Sequence, residues 1–233
     1  MNPLPEGIVE RPILFQPWKV KKILEWDFDL EGPMETRRVM KPQPPGDYSR
    51  LVGPEMYAPT VIDKDGMEQP GEDIFGVYTE DGEWGLKCPY GRPGDLLYVR
   101  EQFQVVAPRG MVGDEWIGDS PLEVIPKTRP TWESHGFWHI YYKATYKSSP
   151  NKILSWRQSI HMPKWACRLR LEIVDIRAER IQQVGGTSAW KEGEFTVQQF
   201  IDIWNQINEK CGYGWKANPF IWMIRFRKYG GQP

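Results

Sequence analysis

Arg37 and Arg38 stand side by side directly after Thr36. Two adjacent guanidinium forks suit bidentate capture of a phosphate or stacking on a base; alternatively, one of them pairs with a carboxylate and holds its own loop. Glu101 follows Arg100 at the end of an apolar run that begins after Pro93-Gly-Asp95. Because neighbours on a strand point to opposite sides, only one of that pair faces a pocket, and a buried Glu101 paired with Arg37 or Arg38 is the expected arrangement. His161, one of three histidines, can act as a general base, read a base edge or fix a loop through hydrogen bonds. Trp165 lies beside Lys164 and just before Arg168 and Arg170, an aromatic among cations that suits stacking on an unpaired base; packing into the core is the alternative. No cysteine or carboxylate stands at ligand spacing from His161, so no metal and no cofactor are expected.

The elements that must position these residues have readable signals. Arg168-Leu-Arg-Leu-Glu-Ile-Val174 alternates Leu169, Leu171 and Ile173 with Arg168, Arg170 and Glu172, a strand with one buried face and a charged face left for binding. Leu96–Val106, Trp138–Tyr146 and Phe220–Tyr229 read as further strands. The last sets Trp222, Ile224 and Phe226 against Arg225 and Arg227. Thr196 caps a helix with Gln199 in a capping box and Phe195 and Phe200 as its hydrophobic staple. Its stripe is Val197, Phe200, Ile201, Trp204 and Ile207, and Gly212 is its stop. A second helix starts at Pro17 and runs to about Trp26, burying Val20, Ile23 and Leu24 with Lys19, Lys21 and Lys22 mostly outward. Trp204 and Trp222 belong to the core, and Asn218 shapes the turn into the last strand. The order of elements implies an α+β domain spanning 1–233.

Composition bounds the rest. The 233 residues include 22 glycines and 21 prolines, which argues for many turns and short strands. These residues crowd two excursions, about 42–86 and 107–133, expected to be long loop insertions. The net charge of −1 hides an asymmetry: nine acids face Lys64 alone between Gly53 and Trp84, whereas Lys147–Arg180 carries eight bases against Glu172, Asp175 and Glu179. A basic second half attracts phosphates, and the acidic stretch repels them. No apolar run reaches the roughly 20 residues of a membrane span, and Met1–Pro12 lacks a signal-peptide pattern. Cys88, Cys167 and Cys211 form no metal or disulfide spacing. A cytoplasmic protein without a membrane partner is expected.

Seven strings recur in order: Ile13-Leu-Phe-Gln-Pro-Trp18, Lys22-Ile-Leu-Glu25, Glu35-Thr-Arg-Arg38 with Lys41-Pro-Gln-Pro44, Lys87-Cys-Pro-Tyr-Gly91, Pro93-Gly-Asp-Leu-Leu-Tyr-Val-Arg-Glu101, Ser159-Ile-His-Met-Pro-Lys-Trp165 and Asn218-Pro-Phe-Ile-Trp222. With them the chain resembles the ASCH-domain proteins of bacteriophages and prophages, members of the PUA-like superfamily. That resemblance implies a small mixed β-barrel with flanking helices, an association with RNA or modified nucleobases, and, if phage-encoded, residence in the host cytoplasm. One branch of the superfamily hydrolyses acetylcytidine with a lysine, a threonine three residues later and a glutamate. By the same resemblance the threonine is Thr36 and the glutamate Glu192, while the lysine position holds Pro33.

The expectation is therefore a PUA-like module that binds RNA, single-stranded nucleic acid or a modified nucleoside through Thr36, Arg37, Arg38, Glu101, His161, Trp165, Arg168, Arg170 and Glu192. The alternative is an amidohydrolase that removes an acyl group from a modified cytosine nucleoside with Thr36 and Glu192. That chemistry needs an activated nucleophile and a group to hold the oxyanion. A third reading is an accessory protein that meets a host partner through the acidic insertion.

Overall fold

The computed structural model describes residues 5–108, 111–112, 115–116, 119–121, 125–128, 139–147, 155–193 and 195–230. In chain order its elements are β1 (Glu10–Leu14), α1 (Pro17–Glu25), β2 (Met34–Val39), β3 (Val52–Tyr57), β4 (Thr60–Ile62), β5 (Glu68–Pro70), β6 (Ile74–Tyr78), β7 (Gly85–Lys87) and β8 (Leu96–Arg100). There follow β9 (Phe103–Pro108), β10 (Met111–Val112), β11 (Glu115–Trp116), β12 (Asp119–Pro121), β13 (His139–Tyr142), β14 (Arg170–Arg180), α2 (Gly186–Gly193), α3 (Val197–Asn208) and β15 (Phe220–Lys228). The architecture is α+β, mostly strands with few helices. Among the described residues no sheet closes into a barrel, and no helix is long and apolar enough to cross a membrane.

The chain divides into two compact units, each built from segments distant in sequence: Met1–Val9, Phe28–Leu96 and Glu172–Lys228 in the first, Glu10–Asp27, Leu97–Leu171 and Tyr229–Pro233 in the second. In the first unit β14, β15 and β2 lie in that order. β15 pairs antiparallel with β2, setting Glu35 opposite Arg225, Thr36 opposite Ile224, Arg37 opposite Met223 and Arg38 opposite Trp222. Both faces of β15 are covered. Ile221 and Met223 join Ile181, Val184, Ala189, Phe200 and Trp204 in a core under α2 and α3, whereas Phe220, Trp222, Ile224 and Phe226 are buried on the other side. A strand buried on both faces reads as a near-continuous apolar run, as Phe220–Ile224 does.

α3 forms as its cap dictates. Thr196 Oγ1 accepts from the Gln199 amide at 3.2 Å, and Gln199 Oε1 accepts from the Thr196 amide at 2.9 Å. Phe200 and Trp204 carry the burial, but Ile207 is exposed, because the apolar stripe drifts off the core in the last turn. The helix gives way to a short turn that ends at Gly212, whose φ of 84° favours glycine.

The excursion at 42–86 is not a loop. β3, β6 and β7 make one antiparallel sheet and β4 and β5 a hairpin. These strands are short, and β4 and β5 are exposed throughout, Val61 and Ile62 included; β6 buries Gly76 and Val77 side by side, so none carries an apolar alternation from which it could be read. Gly76 is required within β6, since a Cβ there would run into the Leu86 carbonyl across the ladder. In the excursion at 107–133, β10 pairs with β11 and β12 with β9; its remaining length lies largely outside the described residues.

In the second unit β1 lies beside β8, and β9 lies between β12 and β13. Phe103, Val105, Met162, Ala166 and Cys167 form the core, with Tyr98, Ile140, Tyr142 and Trp165 packed against it. Strand β13 begins at His139 within the expected 138–146 segment and gives way to a turn after Tyr142; Trp138 lies outside the described residues. α1 starts at Pro17 as expected but turns a different stripe inward. Lys19 is buried with Val20 and Ile23. The stripe is thus rotated by one position, and the Lys19 stem lies inside with its ammonium 6.0 Å from the Trp18 ring.

Candidate functional site

Alternation along β2 separates the expected site residues of the first unit. Glu35, Arg37 and Val39 leave one face, Met34, Thr36 and Arg38 the other. On the first face Arg37 is 5% exposed, and its fork spans two carboxylates: Nη1 donates to Glu192 Oε2 at 2.9 Å and Nη2 to Glu35 Oε2 at 2.8 Å. Nη2 also donates to Ser188 Oγ, and the Ser188 hydroxyl in turn donates to Glu35. The Phe200 ring lies 5.6 Å from the Arg37 guanidinium, and Arg225 Nε stands 3.7 Å from Glu35 Oε1. Glu179 lies in the same field: burial raises its carboxyl and the charge of Glu35 adds to the rise, while Arg37 pulls it down. Arg37 is therefore committed to tying β2 to α2. Glu35 and Ser188 complete the network. Their strand alternation with Arg37, and the register of a short helix, were the only signals that could have found them.

On the other face Thr36 is 3% exposed opposite Ile224. Arg38 shares that face. Burial lowers its affinity for the proton, and Tyr90 and Glu192 act in the opposite sense. The Tyr90 phenol is itself raised by burial and drawn down by Arg38. Arg38, Tyr90 and the Glu192 carboxylate, which is 8% exposed, therefore form one electrostatically coupled set. Tyr90 was not singled out from the sequence, although it stands within Lys87-Cys-Pro-Tyr-Gly91. The cation seated on Glu192 is a guanidinium, effectively always protonated, and cannot act as a base as a lysine can.

The second unit holds the other five expected residues and corrects one pairing. Glu101, 1% exposed, pairs not with Arg37 or Arg38 but with Arg168, whose Nε and Nη2 donate to its two oxygens at 2.8 and 3.0 Å. Arg168 also donates to Thr145 Oγ1 at 3.0 Å and stacks 4.0 Å over the Tyr142 ring. Burial nevertheless raises the Glu101 carboxyl, and the Arg168 hydrogen bonds only partly offset it. Arg170 Nε and Lys164 Nζ each lie 2.6 Å from the buried carboxylate of Glu10. Trp165 is half-buried, and its indole N–H donates to the Pro126 carbonyl at 3.0 Å. His161 is exposed at the end of the Ser159–His161 turn.

Burial pushes the Cys167 thiol up to about 12. Among the described residues no group of three or more His, Cys, Asp or Glu side chains could hold a metal. No family model, curated protein or solved structure matches the chain.

Proposed function

We propose that the first unit binds a nucleobase or nucleotide beside β2, with Arg38, Tyr90 and Glu192 as its recognition groups and Thr36 as part of the floor. The observation that carries this reading is the place of Arg38 on the face that Thr36 shares, where its charge draws down the Tyr90 phenol and where Glu192, held by Arg37 on the other face, acts on it electrostatically. A base edge presents donors and acceptors together; a guanidinium and a phenol beside a carboxylate complement both. Recognition of unstacked bases uses the same side-chain chemistry, and the resemblance to phage ASCH-domain proteins of the PUA-like superfamily points the same way. The amidohydrolase reading is weaker, because Pro33 replaces the lysine and Arg37, which holds Glu192, leaves the strand face opposite to Thr36.

The test is calorimetric titration with cytidine, acetylcytidine, uridine, adenosine and guanosine and their 5′-monophosphates, followed by chromatography of each mixture. Binding of one of them that Arg38→Ala and Glu192→Gln abolish supports the proposal. Absence of binding to every one of them at low salt overturns it. Release of acetate that Thr36→Ala abolishes would replace binding with hydrolysis.

A further inference from the structure

The second unit carries a row of rings that its core does not use. β13 turns Ile140 and Tyr142 onto the apolar cluster, so alternation sends His139 and Tyr141 out of the opposite face. The turn that follows, closed by the Tyr146 amide donating to the Tyr142 carbonyl at 2.9 Å, brings Tyr146 back edge-on to Tyr141 with ring centroids 5.4 Å apart. Trp156 continues the row 5.3 Å from Tyr146. It is held there because its neighbour Arg157 bridges to Phe103 through reciprocal backbone hydrogen bonds. His139 extends the row at the other end, stacked 6.5 Å from Tyr141. Tyr141, Tyr146 and Trp156 each keep part of their surface in solvent, and His139 is exposed.

The charge along the row has one sign. From Ser134 to Leu171 the chain contains no Asp or Glu. Lys143 and Lys147, both exposed, flank Tyr146, and Arg157 follows Trp156. Among the described residues, Glu101 and Glu10 pair with the bases of this segment and are buried on Arg168, Arg170 and Lys164. Rings spaced along a segment that carries lysines and no acid match a chain whose repeating unit is a flat π-system linked by anionic phosphates. A duplex keeps its bases stacked inside, and a neutral ligand makes no use of the lysines.

We infer that the ladder His139–Tyr141–Tyr146–Trp156 is a stacking platform for single-stranded nucleic acid, with Lys143 and Lys147 on its phosphates. It uses none of the β2 residues, so it stands or falls separately from the nucleobase reading. The probes are fluorescently labelled oligo(dT) and oligo(U) of about 15 nucleotides, a duplex of equal length, and unlabelled polyphosphate as competitor. Binding is read by anisotropy with the whole chain. Single strands bind more tightly than the duplex. Tyr146→Ala and Trp156→Ala each weaken binding about 5- to 100-fold, and Tyr146→Phe retains it. Lys143→Ala and Lys147→Ala, surface changes that leave the fold intact, each reduce the slope of log affinity against log salt by about 0.7. The inference is overturned if no single strand binds at low salt, if ladder variants with unchanged thermal unfolding bind like the parent, or if polyphosphate competes as well as oligonucleotide. Loss of oligonucleotide binding in Arg38→Ala with full retention in the ladder variants assigns the strand to β2 and also overturns it.

Discussion

Arg37 and Glu192 are joined by a 2.9 Å hydrogen bond across 155 positions of sequence. Glu35, two residues from Arg37 on the same face, takes the other arm of the guanidinium. One fork thus bridges two buried carboxylates, of which Glu35 also meets Ser188 and Arg225. Arg37→Ala is expected to cost about 3–5 kcal/mol, the range for stranding a buried charge, and Arg37→Lys recovers little because a single ammonium cannot copy the fork. Urea denaturation gives the value; a loss below about 1 kcal/mol contradicts the structural role assigned to Arg37.

Glu101 supplies a pH signature. Burial raises its carboxyl above the ordinary value despite Arg168, so the folded protein holds that proton more tightly than the unfolded chain. The stabilisation from this proton is complete below the ordinary carboxylate value and is lost as pH rises through the raised one. The stability of the parent relative to Glu101→Gln therefore falls as pH is raised from about 4 toward 7. Urea midpoints across that range decide it. The opposite trend means that the Arg168 pairing outweighs burial.

The thiols differ in access. Cys211 is exposed, while Cys88 and Cys167 are buried, and the Cys167 thiol is pushed up to about 12. Since the thiolate is the reactive form, iodoacetamide at neutral pH should label Cys211 alone in the native protein and all three in denaturant. Peptide mass mapping after a timed quench reads this directly. Native labelling of Cys167 at the rate of Cys211 contradicts its burial.

Thr196→Ala removes half of the capping box at the start of α3 and should cost about 1 kcal/mol. Thr196→Ser, which keeps the hydroxyl, should recover most of it. Chemical denaturation of the two variants side by side is sufficient, and equal stability of the alanine variant and the parent would show that the cap contributes nothing.

Local signals carried the elements and distant ones hid the sites. Thr196 and Gln199 declare their helix within three residues, and the alternation at 168–174 is confined to one strand, so both were legible. The strand at 34–39 was not expected, and only its presence separates Thr36 and Arg38 from Glu35 and Arg37. What no spacing states is that Arg37 meets α2, or that Arg168 rather than Arg37 or Arg38 takes Glu101, because each partner lies 67 to 155 positions away. The expected loop at 42–86 hides β3 to β7 for a different reason. Its strands are short and, apart from Gly76 and Val77 in β6, have little buried surface, so no alternating burial pattern marks them.

Strand β2 also constrains the order in which the first unit can assemble. Among the described residues it finds its ladder only on β15, and Gln43, just beyond it, both donates to and accepts from the Phe220 backbone across 177 positions. During synthesis Met34, Thr36 and Arg37 emerge long before the strand that will cover them, and loop closure over that span is entropically slow. High contact order of this kind delays folding until most of the chain exists. Until then the buried charges of β2 stay in water, which disfavours premature collapse around them.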